Sequence, residues 1–201
     1  MIIAALLIAI QTPVQDPRLD RLDPNTRATV VAIVDSARSI GLPSEPLVQR
    51  ALEGTTKGAA GERIVLAVRR LAGDLGTVRA ALGNSSTPPE LEAAVAALRA
   101  GASTQLLAKL RAARRPPLTM ALAVLADLVA SGVPADSAAA AVLALAPRAR
   151  DADLVEFRRA VERDIALGAP PAAATSIRVN AGANTLTDAG PAGQPPRPTR
   201  P

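Results

Sequence analysis

The apolar residues of this chain recur at helical spacing, and glycine or proline interrupts them at short intervals. Val30, Ile33, Val34 and Ala37 illustrate the spacing, since they lie at positions i, i+3, i+4 and i+7. The run ends at Gly41-Leu42-Pro43, where glycine can adopt the left-handed cap conformation and proline prevents continuation. No stretch of the sequence shows the two-residue alternation of a strand. The sequence therefore predicts an all-α fold, a compact bundle or short stack of about eight helices.

The predicted helix starts carry residues that are suited to capping. Asp23 can accept hydrogen bonds from the first helical N–H groups, and Pro24 fits the first helical position, where a missing N–H costs nothing. Thr87 and Glu90 have the spacing of a capping box, and Ser103 can cap the fifth predicted helix. These residues divide the middle of the chain into separate helices joined by short turns.

Two glycines, Gly73 and Gly76, lie inside the third predicted helix. Glycine in a helix interior costs about 1 kcal/mol relative to alanine, so its presence there suggests a structural cause. We expect a kink or a close helix crossing at this point.

The composition limits the chemistry that this chain can perform. The 201 residues include no His, Cys, Trp or Tyr, and Phe157 is the single aromatic residue, although 49% of the chain is hydrophobic. The core must therefore be built from Ala, Leu, Val and Ile. Without His and Cys the chain lacks the usual ligands of zinc and iron–sulfur sites, a thiol nucleophile and the commonest general base. We expect no metal site, no cofactor and no catalytic residue, and we predict that the protein is not an enzyme.

The first ten residues, MIIAALLIAI, have the pattern of the apolar core of a secretory signal. The run is too short to span a bilayer as a helix, which needs about 20 residues. We predict a signal peptide at residues 1–11, a mature chain that begins near Gln11 or Thr12, and a linker at residues 12–23. The expected location is periplasmic or secreted, and it becomes cytoplasmic if residues 2–10 are a buried apolar segment instead.

The C-terminal end differs in composition from the middle of the chain. Residues 179–201 are rich in proline and glycine and have no apolar periodicity, which favours a disordered tail. The predicted all-helical domain therefore covers residues 24–178, with a short last helix that ends near Arg178.

The two halves of the helical region partly match when the sequence is shifted by 90 or 91 residues. Gly41-Leu42-Pro43 then falls on Gly132-Val133-Pro134. We predict an internal duplication in which residues 25–83 and 117–168 form three-helix units, with a bridging helical hairpin between them. The alternative is that Gly-apolar-Pro is a common way to end one helix and start the next, so two such corners resemble each other without shared ancestry.

The densest basic cluster consists of Lys109, Arg111, Arg114 and Arg115. One interpretation is structural, since cations at a helix C-terminus oppose the negative end of the helix dipole. The other is functional, since the same cluster can contact an anionic surface such as phospholipid headgroups. Nucleic acid is an unlikely partner because no aromatic side chain is available to stack on bases. These four residues are the candidate anion- or partner-binding site.

Two further motifs are explained by helix structure without a binding or catalytic role. Residues 54–58, GTTKG, resemble a phosphate loop but lack its spacing and a preceding strand, so an interhelical turn is the better account. Residues 151–164 place opposite charges three or four positions apart, which indicates weak ion pairs on a solvated helix face.

The expected function is based on two features of the sequence, which are helices separated by glycine and proline and the lack of catalytic groups. The leading prediction is a non-enzymatic exported helical protein that acts through protein–protein contacts, because arrays of helical hairpins commonly bind peptides or partner helices in grooves. The alternative is a peripheral binder of anionic membrane or another polyanion through residues 109–115. The sequence identifies neither the protein partner nor the oligomeric state.

Overall fold

The computed structural model describes residues 16–188, with side chains described through Gly182, and every regular element in this part of the chain is a helix. The predicted all-α class is confirmed. A short 3-10 helix, Pro17–Arg21, precedes nine α-helices. In chain order these are α1 (Pro24–Ser39), α2 (Glu45–Thr56), α3 (Gly61–Leu82), α4 (Pro88–Arg99), α5 (Thr104–Ala113), α6 (Thr119–Ala130), α7 (Ala135–Leu145), α8 (Asp151–Ala166) and α9 (Pro171–Asp188).

The predicted caps are present at two of the helix starts. Oδ1 of Asp23 accepts hydrogen bonds from the N–H groups of Asn25 at 3.2 Å and Thr26 at 3.0 Å. Oγ of Ser103 accepts from the N–H of Leu106 at 3.1 Å. Each bond satisfies a donor that the first helical turn cannot satisfy internally.

The first compact unit of the described chain extends to Gly73, and the second begins at Asp74, so the boundary falls within α3. In the first unit the 3-10 helix contacts both α1 and α2, and these two helices contact each other. Its buried aliphatic side chains include Val30, Val34, Leu47, Val48, Ile64 and Val68.

A linker was predicted at residues 12–23, and in the part that the structure describes, residues 16–23, a 3-10 helix is present instead. Leu19 and Leu22 are only 2% and 7% exposed, because residues three apart lie on one face of a 3-10 helix. The guanidinium of Arg18 donates to both carboxylate oxygens of Glu45 in α2, at 2.9 and 2.7 Å. This segment is therefore packed on the first unit. Its polar, proline-containing sequence was the reason for the linker prediction, although two of its leucines are buried.

Besides the end of α3, the second unit contains three successive helix pairs, α4–α5, α6–α7 and α8–α9, which we call hairpins. The first helices of successive hairpins are in contact, α4 with α6 and α6 with α8, and so are the second helices, α5 with α7 and α7 with α9. The first helices begin at Pro88, Thr119 and Asp151, which are 31 and 32 residues apart. Helices α4 and α5, predicted to bridge two three-helix units, contact α6 and α7 respectively, and their bridging role stays a prediction.

The two Gly-apolar-Pro corners have the same backbone geometry. Gly41 and Gly132 have φ of 75° and 91°, a left-handed conformation that favours glycine. The next residue donates its N–H five residues back, from Leu42 to Ala37 at 2.9 Å and from Val133 to Leu128 at 3.0 Å. The same five-residue bond follows Gly58, Gly101 and Gly168, so the corner does not distinguish duplication from a common turn. The duplication of residues 25–83 and 117–168 stays a prediction.

Helix α9 corrects the predicted start of the tail at residue 179, because it continues to Asp188. Its early residues Ala174 and Thr175 are buried, and the helix contacts both α7 and α8. Arg178 forms a bidentate ion pair with Asp164 of α8, with both N–O distances at 2.7 Å. These contacts hold a helix whose sequence has no regular apolar stripe.

The predicted signal peptide at residues 1–11 and the part of the predicted tail after Asp188 lie outside the described residues. Between Asp16 and Asp188, no helix combines the length and apolar character needed to cross a bilayer.

The two interior glycines of α3 do not mark a close crossing. A Cβ built on Gly73 or on Gly76 would meet no heavy atom within 4 Å, apart from the backbone of α3 and the adjacent residues. Gly61, at the start of α3, is the tightly packed position instead. A Cβ at Gly61 would overlap Oγ1 of the buried Thr26 in α1 and lie 3.1 Å from Oδ2 of Asp23.

Replacement of Gly61 is expected to destabilise the protein, because the added methyl group has no space beside Thr26. We predict that Gly61→Ala lowers the free energy of unfolding by about 1–3 kcal/mol, measured by chemical denaturation. Thr26→Ala, which removes the overlapping oxygen, should reduce this penalty in the double variant.

The matched control is Gly76→Ala on the same helix. Alanine there meets open space and has the higher helix propensity, so the free energy of unfolding should rise by about 0.5–1 kcal/mol. Equal changes for the two variants would contradict the close approach of α3 to α1.

Candidate functional site

The structure separates the four cations that the sequence groups into one candidate site. Lys109 and Arg115 are exposed, whereas Arg111 is half-buried and donates a guanidinium N–H to Oγ of Ser85 at 2.8 Å. The side chain of Arg114 is 12% exposed and is directed into the second unit. Two of the four cations therefore face solvent, and two are engaged by neighbouring residues.

Arg114 joins the end of α5 to the loop between α7 and α8. Its guanidinium donates to the carbonyl oxygen of Ala146 at 3.0 Å, and also to the carbonyl of Ala149 and the carboxylate of Asp151. Carbonyl groups at a helix end have no partner within the helix, so a cationic donor at this place satisfies them. Arg114 therefore has the structural role that the sequence analysis considered, a cation at a helix C-terminus. The helix end that it contacts is that of α7 and not that of its own helix, α5.

An open groove of about 770 Å³ lies between the end of α5 and the α7–α8 loop, and we name it the arginine groove. Its polar lining consists of four arginines, and small apolar residues complete its surface. The residues that define it are Arg111, Arg114, Arg115, Pro116, Pro147 and Arg150.

Arg150 was missed by sequence reasoning because 34 positions separate it from Arg115 in the chain. Its side chain is 84% exposed and pairs with Asp153 at 3.0 Å. The sequence contains the run Arg148-Ala149-Arg150, which lies in the α7–α8 loop, but only the contact of α5 with α7 brings that loop beside the cluster.

A buried carboxylate lies close to the arginine groove. Glu90 is 1% exposed, and one oxygen accepts from the N–H and the hydroxyl of Thr87 at 2.9 and 3.1 Å. The other oxygen accepts from the N–H of Leu118 at 2.8 Å, so one side chain joins the start of α4 to the residue that precedes α6. The sequence predicted the contact with Thr87 but not the contact with Leu118.

The charge of Glu90 is stabilised where it lies. Burial raises the pKa of Glu90, but the N–H groups of Thr87 and Leu118, the Thr87 hydroxyl and the positive charge of Arg111 together hold it below its usual value of 4.5. Glu90 is therefore ionised at neutral pH. Its hydrogen bonds to the start of α4 and to Leu118 indicate a structural role, which is to tie these two segments together.

The first unit carries an open apolar groove of about 380 Å³ between α1 and α3, which we name the α1–α3 groove. Its apolar lining includes Ile33, Ile40, Leu42 and Ala72, and Arg69 supplies a charge at its edge. Ile40 is 68% exposed, so its side chain adds apolar surface to this groove. The sequence predicted the helical spacing of α1 but did not indicate this groove.

A second apolar cleft, of about 300 Å³, lies in the second unit beside the last hairpin. Leu145, Phe157 and Ala160 contribute apolar surface, and Asp153 and Arg178 lie at its edge. The side chains of α9 beyond Gly182 are outside the described residues, so the α1–α3 groove is the better defined of the two apolar surfaces.

The charged face of α8 is only partly a set of pairs within one helix. Arg158 lies 3.6 Å from Glu162 but pairs more closely with Asp127 of α6, at 2.8 Å. Glu156 and Arg159 are 3.9 Å apart. The closest of these ion pairs therefore connects two hairpins of the second unit.

The GTTKG segment is the end of α2 and the turn that follows it. Lys57 pairs with Glu53 one helical turn earlier, at 2.5 Å, and Gly58 has φ of 65°. This geometry is that of an interhelical turn, as the sequence predicted.

The described residues contain no group of three or more His, Cys, Asp or Glu side chains that could hold a metal ion. No protein-family model, curated protein or solved structure matches this chain. The candidate surfaces are therefore defined by their geometry and charge alone.

Replacement of Glu90 tests its role as a structural tie. Glu90→Gln is expected to lower the free energy of unfolding at neutral pH by about 1–3 kcal/mol, because the amide presents donors to groups that themselves donate. Folding lowers the pKa of Glu90, so the ionised carboxylate contributes to the free energy of unfolding. This contribution is complete above pH 4.5, the pKa in the unfolded chain, and is lost as the pH falls through the pKa in the folded protein.

The difference in stability between wild type and Glu90→Gln should therefore shrink as the pH falls below 4.5, as measured by urea titration at several pH values. Glu92→Gln, at an exposed position on the same helix, is the control and should change stability by less than about 0.5 kcal/mol. Similar losses for both variants would contradict this role.

Proposed function

We propose that this protein is a non-enzymatic exported helical protein that acts through protein–protein contacts. The observation that carries the proposal is the α1–α3 groove, an open apolar surface between two helices. A groove of this kind accepts the apolar face of an amphipathic helix, whose side chains enter at i, i+3, i+4 and i+7 spacing. The exposed Ile40 beside it supplies apolar area that a partner would bury.

The charge at this groove indicates the character of its partner. Arg69 is exposed and lies among otherwise uncharged lining residues. A partner helix that fits the surface therefore carries an apolar stripe with an acidic side chain within reach of Arg69.

The alternative function, peripheral binding of anionic membrane or another polyanion through residues 109–115, has weaker support. A flat anionic surface reaches exposed cations, and Lys109 and Arg115 are the exposed members of the cluster. Arg114 bonds to the α7–α8 loop and Arg111 bonds to Ser85, so half of the cluster serves contacts within the second unit.

A photo-crosslinking residue placed at Ile40 tests the proposed contact in the native host. We expect a discrete adduct with a protein partner, and Arg69→Glu in the same chain should weaken it because the charge facing the partner is reversed. Arg69 is exposed, so thermal unfolding of this variant should be unchanged.

The control for this experiment is the same photo-crosslinking residue at Glu62, which is exposed on α3 and does not line the groove. The adduct should be missing from this position. No adduct at Ile40, or the same adducts from both positions, would refute the α1–α3 groove as a contact surface.

Export is supported by the sequence of residues 2–10 and needs its own experiment. Intact mass analysis of the protein from its native host should show a chain that begins near Gln11 or Thr12. Cytoplasmic protein that retains Met1 would reject export and leave the protein-contact proposal to be judged on the adduct alone.

A further inference from the structure

The arginine groove has the geometry and charge of a binding surface for carboxylate groups. We propose that it binds an acidic segment of a protein partner, an extended stretch rich in Asp or Glu. This inference rests on the proposed function, because it names the chemical character of a partner at a second surface. Four arginines from two separate parts of the chain line the groove, and guanidinium groups can bind carboxylates through two parallel hydrogen bonds.

The local charge around the groove is positive after its own ion pairs are counted. Asp151 lies against Arg114, Asp153 against Arg150, and Glu90 close to Arg111. The four arginines that line the groove carry one positive charge more than these three carboxylates carry negative charge.

The walls of the groove are held in place before any partner binds. Arg114 ties the α7–α8 loop to the end of α5 through the carbonyls of Ala146 and Ala149. These carbonyl oxygens therefore point toward a guanidinium and not toward the ligand. Arg114 is thus a positioning residue, and Arg115 and Arg150 are exposed on opposite sides of the groove. Arg150 also pairs with Asp153 at 3.0 Å, so a bound carboxylate shares or replaces that contact. A preorganised surface loses less free energy to ordering when it binds.

The recessed shape favours a polypeptide segment over a membrane. A volume of about 770 Å³ can admit several residues of an extended chain. The half-buried Arg111 also lines the groove. The small apolar residues between the arginines, such as Pro116 and Pro147, suit the backbone and methyl groups of a peptide. No aromatic side chain is present to stack on nucleobases or sugars.

A labelled acidic peptide tests the inference directly on the full chain. The probe is a fluorescent peptide of about ten residues in which glutamate and alanine alternate, and binding is followed by fluorescence anisotropy at about 50 mM salt. We expect saturable binding that weakens as salt rises, and no binding of the matched peptide in which glutamine replaces glutamate.

The decisive comparison uses two double variants that lose the same charge. Arg115→Gln with Arg150→Gln should raise the Kd of the acidic peptide at least about tenfold, because two charge-assisted contacts are removed. Arg63→Gln with Arg70→Gln, at exposed positions in the first unit, should raise it less than about threefold. Both proteins should unfold at the wild-type temperature, since all four positions are exposed.

Three results would overturn the inference. Equal weakening in both double variants would show that net charge alone attracts the peptide. A second result is that the wild type binds vesicles rich in phosphatidylglycerol but not the acidic peptide. If Arg115→Gln with Arg150→Gln abolishes that vesicle binding, the surface would be assigned to membranes. Absence of peptide binding by wild type while the Ile40 adduct persists would remove this inference and leave the proposed function intact.

Discussion

The burial of aliphatic helix faces against one another is the interaction on which this protein depends. Its α-helices run from 10 to 22 residues, and helices of this length in water gain most of their stability from packing, not from their own hydrogen bonds. The buried side chains are almost all Leu, Val, Ala and Ile, with Phe157 as the single ring. Small side chains allow close helix approach but bury little area each, so turns that place each helix beside its neighbour contribute directly to the fold.

Arginine side chains complete this packing by joining separate helices at their edges. Arg99 pairs with Asp74 across α4 and α3 at 2.8 Å, and Arg158 and Arg178 connect further pairs of helices. These pairs are partly exposed, so each contributes on the order of 0–1 kcal/mol and mainly fixes orientation. The long arginine side chain also covers the aliphatic surface beneath it. An arginine-rich sequence can therefore serve structure at one position, as Arg114 does, and remain open to a partner at another, as Arg115 does.

The helices and their ends were predictable because their signals are local. Asp23, Ser103 and the glycine corners act within a few residues of the chain, and the structure places helix boundaries beside them. The sequence could not predict contacts that depend on which helices stack. The bond from Leu118 to Glu90, the position of Arg150 beside α5 and the burial of Leu19 all depend on residues distant in the chain. Spacing identifies an apolar face but not whether a neighbour covers it, and Ile40 at the end of α1 is left exposed.

The hairpins of the second unit follow one another with nearly constant spacing, and each is packed mainly on the hairpins next to it. In such an array the total stability approximates a sum over layers and the interfaces between adjacent layers. A chain organised in this way can be lengthened or shortened by whole hairpins without redesign of the layers that remain. Evolution could therefore extend or trim the surface of this molecule one layer at a time, while the anchoring arginine at the end of α5 kept its partners in the adjoining layer.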